Sequence, residues 1–155
     1  MSKSLKRLRA AIEAEGLVAD IRETTLARTA ADAAKAMGCT EDQIAKSIML
    51  RGEMSGTALL FITAGGRQVD LNRATLLAGE PLGKADAALI RAQTGFAIGG
   101  VAPLGHLTPP RAWFDRTLLA HDLIYAAAGT PHHLFGIPPD ALLQISGAQL
   151  ADFTF

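Results

Sequence analysis

This chain of 155 residues contains one cysteine, and aromatic residues make up only 5% of its composition. A single thiol excludes an internal disulfide and is typical of a reducing compartment, so we expect a cytoplasmic protein. Cys39 follows Gly38 directly and has no second cysteine with which to complete a zinc pair. The net charge is zero, from 15 basic and 15 acidic residues, which argues against strong non-specific binding of nucleic acid.

The sequence also lacks long apolar runs and the motifs of common hydrolases. Charges or glycines interrupt each apolar stretch before it reaches the ~20 residues that a membrane helix needs. Glu13 and Glu15 follow the basic start of the chain in place of an apolar segment, so we expect no signal peptide. There is no H-E-x-x-H, C-x-x-C, G-x-S-x-G or P-loop pattern, and the 4 histidines show no metal-ligand spacing. We therefore expect no metal, no cofactor and no membrane span.

What the chain does contain is 49% hydrophobic and 19% charged residues, as in a globular domain that buries a core. No repeat or linker divides it, so we expect one domain over residues 1–155. Capping patterns predict a short helical turn after Thr40 and helices that begin near Ser4, Thr29, Asp70, Asp86 and Pro139. Apolar runs predict strands over residues 44–50, 58–63, 68–71, 111–115, 122–128 and 133–137. Because helices and strands mix without strict alternation, we predict an α+β fold, with a mixed sheet or partly closed barrel flanked by helices.

The segment T-G-F-A-I-G-G-V-A-P-L-G, residues 94–105, places four glycines and a proline between apolar segments. Gly99 and Gly100 have no Cβ, so the backbone there can adopt positive φ and a ligand can approach its N–H groups. Pro103 fixes its own φ and stiffens the segment. Two interpretations follow: a simple turn between strands, or a loop whose backbone donors hold a carbonyl or an oxyanion.

Lys46 lies within Q-I-A-K-S-I-M-L, which reads as a strand with two mainly apolar faces. A lysine in such a strand either extends to solvent at a strand end or faces a polar cavity as a cation for a ligand anion. Spacing alone leaves both interpretations open.

Three residues near the glycine loop have two interpretations each. Thr94 either closes the preceding helix or turns its hydroxyl toward a pocket. His106 either is a solvated loop residue or lines the rim of the loop. Asp115 ends the run R-A-W-F-D, where a capping or turn role is favoured over that of a carboxylate base.

Together, Q-I-A-K-S-I-M-L and G-F-A-I-G-G-V-A-P-L-G-H resemble the YbaK/ProX family of aminoacyl-tRNA deacylases, which is related to the editing domain of some bacterial prolyl-tRNA synthetases. T-A-A-D-A-A-K-A-M-G at 29–38, Asp115 and Y-A-A-A-G-T-P at 125–131 agree with this resemblance. It covers almost the whole chain, from about residue 18 onward. The fold that the resemblance implies is again a mixed sheet with flanking helices.

The resemblance implies specific roles for the residues singled out above. Lys46 matches a lysine expected to hold the phosphate or ribose end of the aminoacyl-adenosine, while Gly99 and Gly100 match glycines whose backbone contacts the ester and the attacking water. The other residues expected at the substrate either shape the loop or line the pocket, and they are Thr29, Ser47, Thr94, Ile98, Pro103, Gly105 and His106. Because no nucleophile–base pair is evident, the resemblance also implies assistance from the terminal ribose 2′-hydroxyl.

The function implied is trans-editing: hydrolysis of mischarged aminoacyl-tRNA, with the acceptor end of the tRNA as partner. Thr29 and the Y-A-A-A-G-T-P run depart from the cysteine-directed relatives, which favours proline tRNA that carries alanine or another small residue. Two alternatives remain: a non-catalytic module that binds a nucleotide-like anion, and an accessory subunit of a prolyl-tRNA synthetase. The expected assembly is a monomer or a homodimer.

Overall fold

The computed structural model describes residues 2–155, in which helices and strands mix without strict alternation. The α-helices are α1 Lys3–Ala14, α2 Ala30–Met37, α3 Leu71–Ala78, α4 Ala87–Thr94 and α5 Pro139–Ser146. The strands are β1 Asp20–Glu23, β2 Ala45–Gly52, β3 Ala58–Ala64, β4 Leu82–Lys84, β5 Ala112–Asp115, β6 Ile124–Ala127, β7 His133–Ile137 and β8 Gln149–Ala151. Two 3₁₀ helices span Glu41–Gln43 and Arg116–Ala120.

The strands form two sheets. The larger has the order β4-β2-β3-β5-β8, in which β2 is antiparallel to β3 and β4, whereas β5 is parallel to β3 and β8. The smaller is antiparallel with the order β1-β7-β6. A single parallel bridge between Ile44 and Tyr125 links them. The α+β class and the mixed sheet are confirmed, and the strands of residues 2–155 form two bridged sheets and no closed barrel.

Strand β3 lies at the centre of the molecule, with all of its residues buried. One of its faces contacts the main core, to which α1 contributes Leu5, Leu8 and Ile12. The other face belongs to a smaller core in which Phe61 stacks on Trp113, with 5.0 Å between ring centroids. Apolar cover on both faces explains why the strand reads as an uninterrupted apolar run.

The helix boundaries follow local capping chemistry. Thr29 accepts a hydrogen bond from the Asp32 N–H at 3.1 Å, and Asp70 and Asp86 cap α3 and α4 in the same manner. Gly38, Gly79 and Gly95 end α2, α3 and α4 in the left-handed conformation. Thr40 and Gln43 form the predicted capping box, around a 3₁₀ helix. These predictions are confirmed.

Two local predictions are wrong. The cap of α1 is Ser2 and not Ser4, because the Ser2 hydroxyl accepts from the Leu5 N–H at 3.0 Å. Residues 68–71 form no strand: Val69 makes one isolated bridge with Thr154, and the next residue already caps α3. Strands β1, β4 and β8 were not predicted, because three or four residues are too few to show periodicity.

No helix in the described part of the chain has the length and apolarity needed to cross a membrane.

Candidate active site

A cavity of about 360 Å³ opens beside β2. The start of α2, the glycine loop and the segment between β6 and β7 form its other walls. Its apolar lining includes Ala33, Ile44, Met49, Ile90, Val101 and Leu134. Lys46 and Arg28 line it as cations, and no acidic side chain within residues 2–155 does. The cavity therefore combines an apolar interior with an environment suited to an anionic ligand.

Strand β2 borders the cavity with its edge. Consecutive residues from 44 to 49 all line the cavity, whereas a strand that presents one face would contribute every second residue. The bridge to β6 involves Ile44, and pairing with β4 begins at Leu50, so the edge between them has no partner strand. The Gly52 N–H donates to the Thr57 carbonyl across the β2–β3 hairpin. Since antiparallel pairing alternates by residue, the N–H and C=O of Ser47 point away from β3, toward the cavity.

The Lys46 side chain lies at the cavity wall and is partly buried. Its Nζ donates a hydrogen bond to the Gly65 carbonyl at 3.1 Å. Gly65 follows β3 and is held closely: a Cβ there would overlap the Glu41 carbonyl oxygen and lie 2.8 Å from the Ala30 Cβ. The turn after β3 thus holds the lysine ammonium through the carbonyl of a closely packed glycine.

Ser47 and Thr29 also line the cavity but differ in availability. The Ser47 hydroxyl is buried and has no hydrogen-bond partner within residues 2–155, so it is available to a ligand. The Thr29 hydroxyl already accepts the Asp32 N–H as the cap of α2.

Within the glycine loop, Ile98, Gly99 and Val101 face the cavity. Ile98 is 59% exposed and lies at the rim, and Gly99 has a φ of +89°, which favours glycine. Gly100 does not line the cavity. Its N–H closes a turn onto the Ala97 carbonyl at 3.0 Å, and a Cβ there would lie 2.8 Å from the Thr130 Cα. Gly100 therefore allows the loop to pack directly on the segment that follows β6.

Other predicted site residues support the loop from behind and do not line the cavity. The Thr94 hydroxyl is fully buried, donates to the Ile90 carbonyl at 2.6 Å and accepts from the Phe96 N–H, so Thr94 closes α4. Pro103 and Gly105 lie in the same loop, away from the cavity wall. Asp115 caps the second 3₁₀ helix through the Thr117 N–H and accepts the Ala64 N–H, as the favoured capping role requires.

His106 is also behind the loop, where its Nε2 hydrogen-bonds the Ala102 carbonyl at 2.5 Å and its ring packs edge-on against Phe96. Burial lowers the pKa of His106, the Arg7 cation lowers it further, and the Ala102 carbonyl opposes both effects. The imidazole is therefore neutral at pH 7, with Nε2 as the donor.

The sequence did not predict His133 and Thr130, which both line the cavity. Thr130 lies within the Y-A-A-A-G-T-P run and His133 follows it, and the His133 Nδ1 hydrogen-bonds the Thr130 hydroxyl at 2.6 Å. This bond orients the ring and leaves Nε2 for a ligand. The available signal was the position of His133 at the start of a predicted strand directly after a turn, where a side chain borders an open end of the sheet.

Residues 24–145 match the family model of the aminoacyl-tRNA editing domain, which is more than half of the chain. This chain belongs to the aminoacyl-tRNA editing domain family. The editing domain is 43% identical, with a TM-score of 0.92, to a solved protein proposed to be a trans-editing enzyme for prolyl tRNA synthetase, and 100% of this chain and 99% of that chain are covered. The resemblance to the YbaK/ProX family is confirmed.

Two further proteins are similar to this chain. A chain solved in work on epitope backbone grafting by computational design is 41% identical, with a TM-score of 0.91 and coverage of 100% of this chain and 99% of that one. The uncharacterized protein YwhH of Bacillus subtilis (strain 168) is 28% identical over 122 residues, which is 79% of this chain and 77% of the relative.

Proposed function

We propose that this editing domain is an aminoacyl-tRNA deacylase that hydrolyses mischarged tRNA in trans. The observation that carries the proposal is the cavity itself, where the Lys46 ammonium, the free edge of β2 at Ser47 and an apolar interior meet. An aminoacyl-adenosine needs these three features, because it joins an anionic phosphate end, a polar ester and a side chain. Lys46 and the exposed Arg28 would hold the phosphate end.

The substrate that we propose is proline tRNA charged with alanine or another small residue. The cavity supports this choice because alanine, isoleucine and valine side chains line it and offer an apolar contact to a small side chain. A synthetase pocket separates residues that differ by one methylene by only about 1–3 kcal/mol, so a second hydrolytic site serves fidelity. The chain is similar to a protein proposed as a trans-editing enzyme for prolyl tRNA synthetase, which supports proline tRNA as the substrate. The partner that we propose is a synthetase that binds transiently, and the compartment is the cytoplasm.

In the proposed mechanism the protein supplies position and backbone donors, and the 2′-hydroxyl of the terminal ribose assists the attacking water. Gly99 and Ser47 would present main-chain groups to the ester. A tRNA that ends in 2′-deoxyadenosine and is charged at the 3′ position should bind normally and lose its amino acid far more slowly. Full activity on this substrate would contradict ribose assistance and would point to a base on the protein, for which His133 is the cavity histidine.

A panel of aminoacyl-tRNAs tests the function directly. Proline tRNA charged with alanine, serine, cysteine or proline, and alanine tRNA charged with alanine, are incubated with the protein while loss of the ester bond is followed. We expect the fastest loss of the ester from proline tRNA charged with alanine. The two correctly charged tRNAs should lose little of theirs. Saturable binding without loss of any ester would instead support the non-catalytic module that binds a nucleotide-like anion.

A further inference from the structure

Helix α1 lies outside the segment that matches the family model, yet one of its side chains contacts both ends of the glycine loop. The Arg7 Nε donates to the Gly105 carbonyl at 2.8 Å, and its terminal nitrogen donates to the Thr94 carbonyl at 3.3 Å. Between these two carbonyls the chain leaves α4, passes the cavity and returns. Arg7 is therefore bonded where the loop begins and where it ends.

The guanidinium also lies on the fully buried Phe96 ring, 4.6 Å from its centroid. Phe96 extends this contact toward the second wall of the cavity, since a Cβ on Gly129 would lie 3.1 Å from the Phe96 ring and 2.9 Å from the Ser4 carbonyl oxygen. The residue after Gly129 is Thr130, against which Gly100 packs. A continuous set of contacts thus runs from α1 through Phe96 to the glycine loop and the segment after β6, which pack on each other and both line the cavity.

Helix α1 is itself firmly anchored. Leu5, Leu8 and Ile12 are buried in the main core, and Ser2 caps the first turn. Arg7 is a partly buried side chain on a rigid helix, and its planar fork fits two carbonyl oxygens in a way that a lysine ammonium does not.

We propose that Arg7 is a positioning residue for the deacylase site: from the helix outside the family match, it holds the glycine loop in the geometry that presents Gly99 to the substrate. The proposal rests on the proposed function. Arg7 does not line the cavity, and its Nε and one terminal nitrogen donate to loop carbonyls, so it acts through the loop.

The first experiment measures kcat and KM on the best substrate of the panel for Arg7→Ala and Arg7→Lys. A displaced loop weakens donors that act in the transition state, so kcat should fall by about tenfold or more in both variants, with KM changed little.

Guanidinium ion at low millimolar concentration should partly restore kcat in Arg7→Ala and leave Arg7→Lys unchanged. Lys6→Ala, which removes an exposed cation from the same helix, should keep the wild-type kcat. Equal rises in KM for the Arg7→Ala and Lys6→Ala variants, with kcat intact, would mean that Arg7 serves charge alone and would overturn the proposal.

The second experiment needs no substrate. Amide hydrogen exchange is compared in wild-type protein and Arg7→Lys, which keeps the charge and most of the side-chain packing. Exchange should accelerate at the non-proline residues of 95–107 and at Gly129 and Thr130, and stay unchanged in β3 and β5. Wild-type exchange across the loop would overturn the positioning role whether or not the protein deacylates tRNA. Failure of the proposed function shows itself separately, as an inactive wild-type protein on the aminoacyl-tRNA panel.

Discussion

Lys46 is the residue whose role depends most directly on the cavity. Its ammonium lies at the wall, bonded to one carbonyl, and contributes little to the packing of the cores. Lys46→Ala should therefore lower kcat/KM for deacylation by about tenfold to a hundredfold, since a hydrogen bond to the charged phosphate end is worth about 1.5–3 kcal/mol. The melting temperature should change little. Lys84→Ala, which removes an exposed lysine from the neighbouring strand β4, is the matched control and should stay active. Wild-type activity in Lys46→Ala would contradict a role for this lysine in substrate binding.

Gly99 and Gly100 avoid a Cβ for different reasons, so their alanine variants should differ. Gly99→Ala forces a side chain into a positive φ and should cost about 1 kcal/mol of stability. Gly16→Ala, at a φ of +78° with nothing within 4 Å of the new Cβ, should lose similar stability and keep full activity. Gly99→Ala should lose most of its activity, because Gly99 lines the cavity. Equal kcat in Gly99→Ala and Gly16→Ala would mean that the loop is a simple turn with no role in catalysis.

Gly100→Ala should be the more damaging change of the pair. Its Cβ would lie within 3.0 Å of three backbone atoms of Thr130, which have no flexible end to give way. The two loops must then separate, so both kcat and the melting temperature should fall. A crystal structure of Gly100→Ala with unmoved loops would contradict this account.

The turn after β3 is linked to the site through the bond between the Gly65 carbonyl and the Lys46 ammonium, and Gly65 also packs close to Ala30 and Ile44, which line the cavity. Gly65→Ala pushes against α2 at Ala30 and the 3₁₀ helix at Glu41, so it should destabilise the fold by about 1–3 kcal/mol and lower kcat. Gly83→Ala is the control, because its new Cβ meets only the flexible Glu53 carboxylate. In a Lys46→Ala background, Gly65→Ala should lower kcat less than it does in the wild-type background. Additive losses in kcat would mean that the turn acts by another route.

At the level of elements, the sequence was informative wherever a boundary depends on neighbouring residues. Thr29, Asp70 and Asp86 cap helices through N–H groups two or three positions away, and this chemistry is visible in the sequence. The edge strands β1, β4 and β8 exist because a partner strand lies beside them. Short segments of this kind carry no periodicity, so no local signal could have predicted them.

The stability of the whole molecule should depend on pH through His106. Its folded pKa lies below the ordinary value of 6.5, so the unfolded chain binds the proton more readily. Stability should be greatest above about pH 6.5 and decline as the pH falls below it, toward the lower folded pKa. Urea unfolding from about pH 8 to pH 5 should show this decline in the wild-type protein and a flatter curve in His106→Gln. Parallel curves would show that His106 titrates alike in both states.

The sequence by itself determined the elements that arise from local hydrogen bonds and periodicity, and it predicted Lys46 and the glycine loop as site residues, which both border the cavity. Only the tertiary structure decided what surrounds these residues: the free edge of β2 at Ser47, the cavity histidine His133 and the bond from Arg7 to Gly105. Arg7 and Gly105 are 98 positions apart along the chain. The physical reason is the distance along the chain over which the interacting residues are spread. A cap or an apolar stripe is encoded within a few residues, whereas a cavity exists only where segments that are distant along the chain are brought together by the burial of a common core.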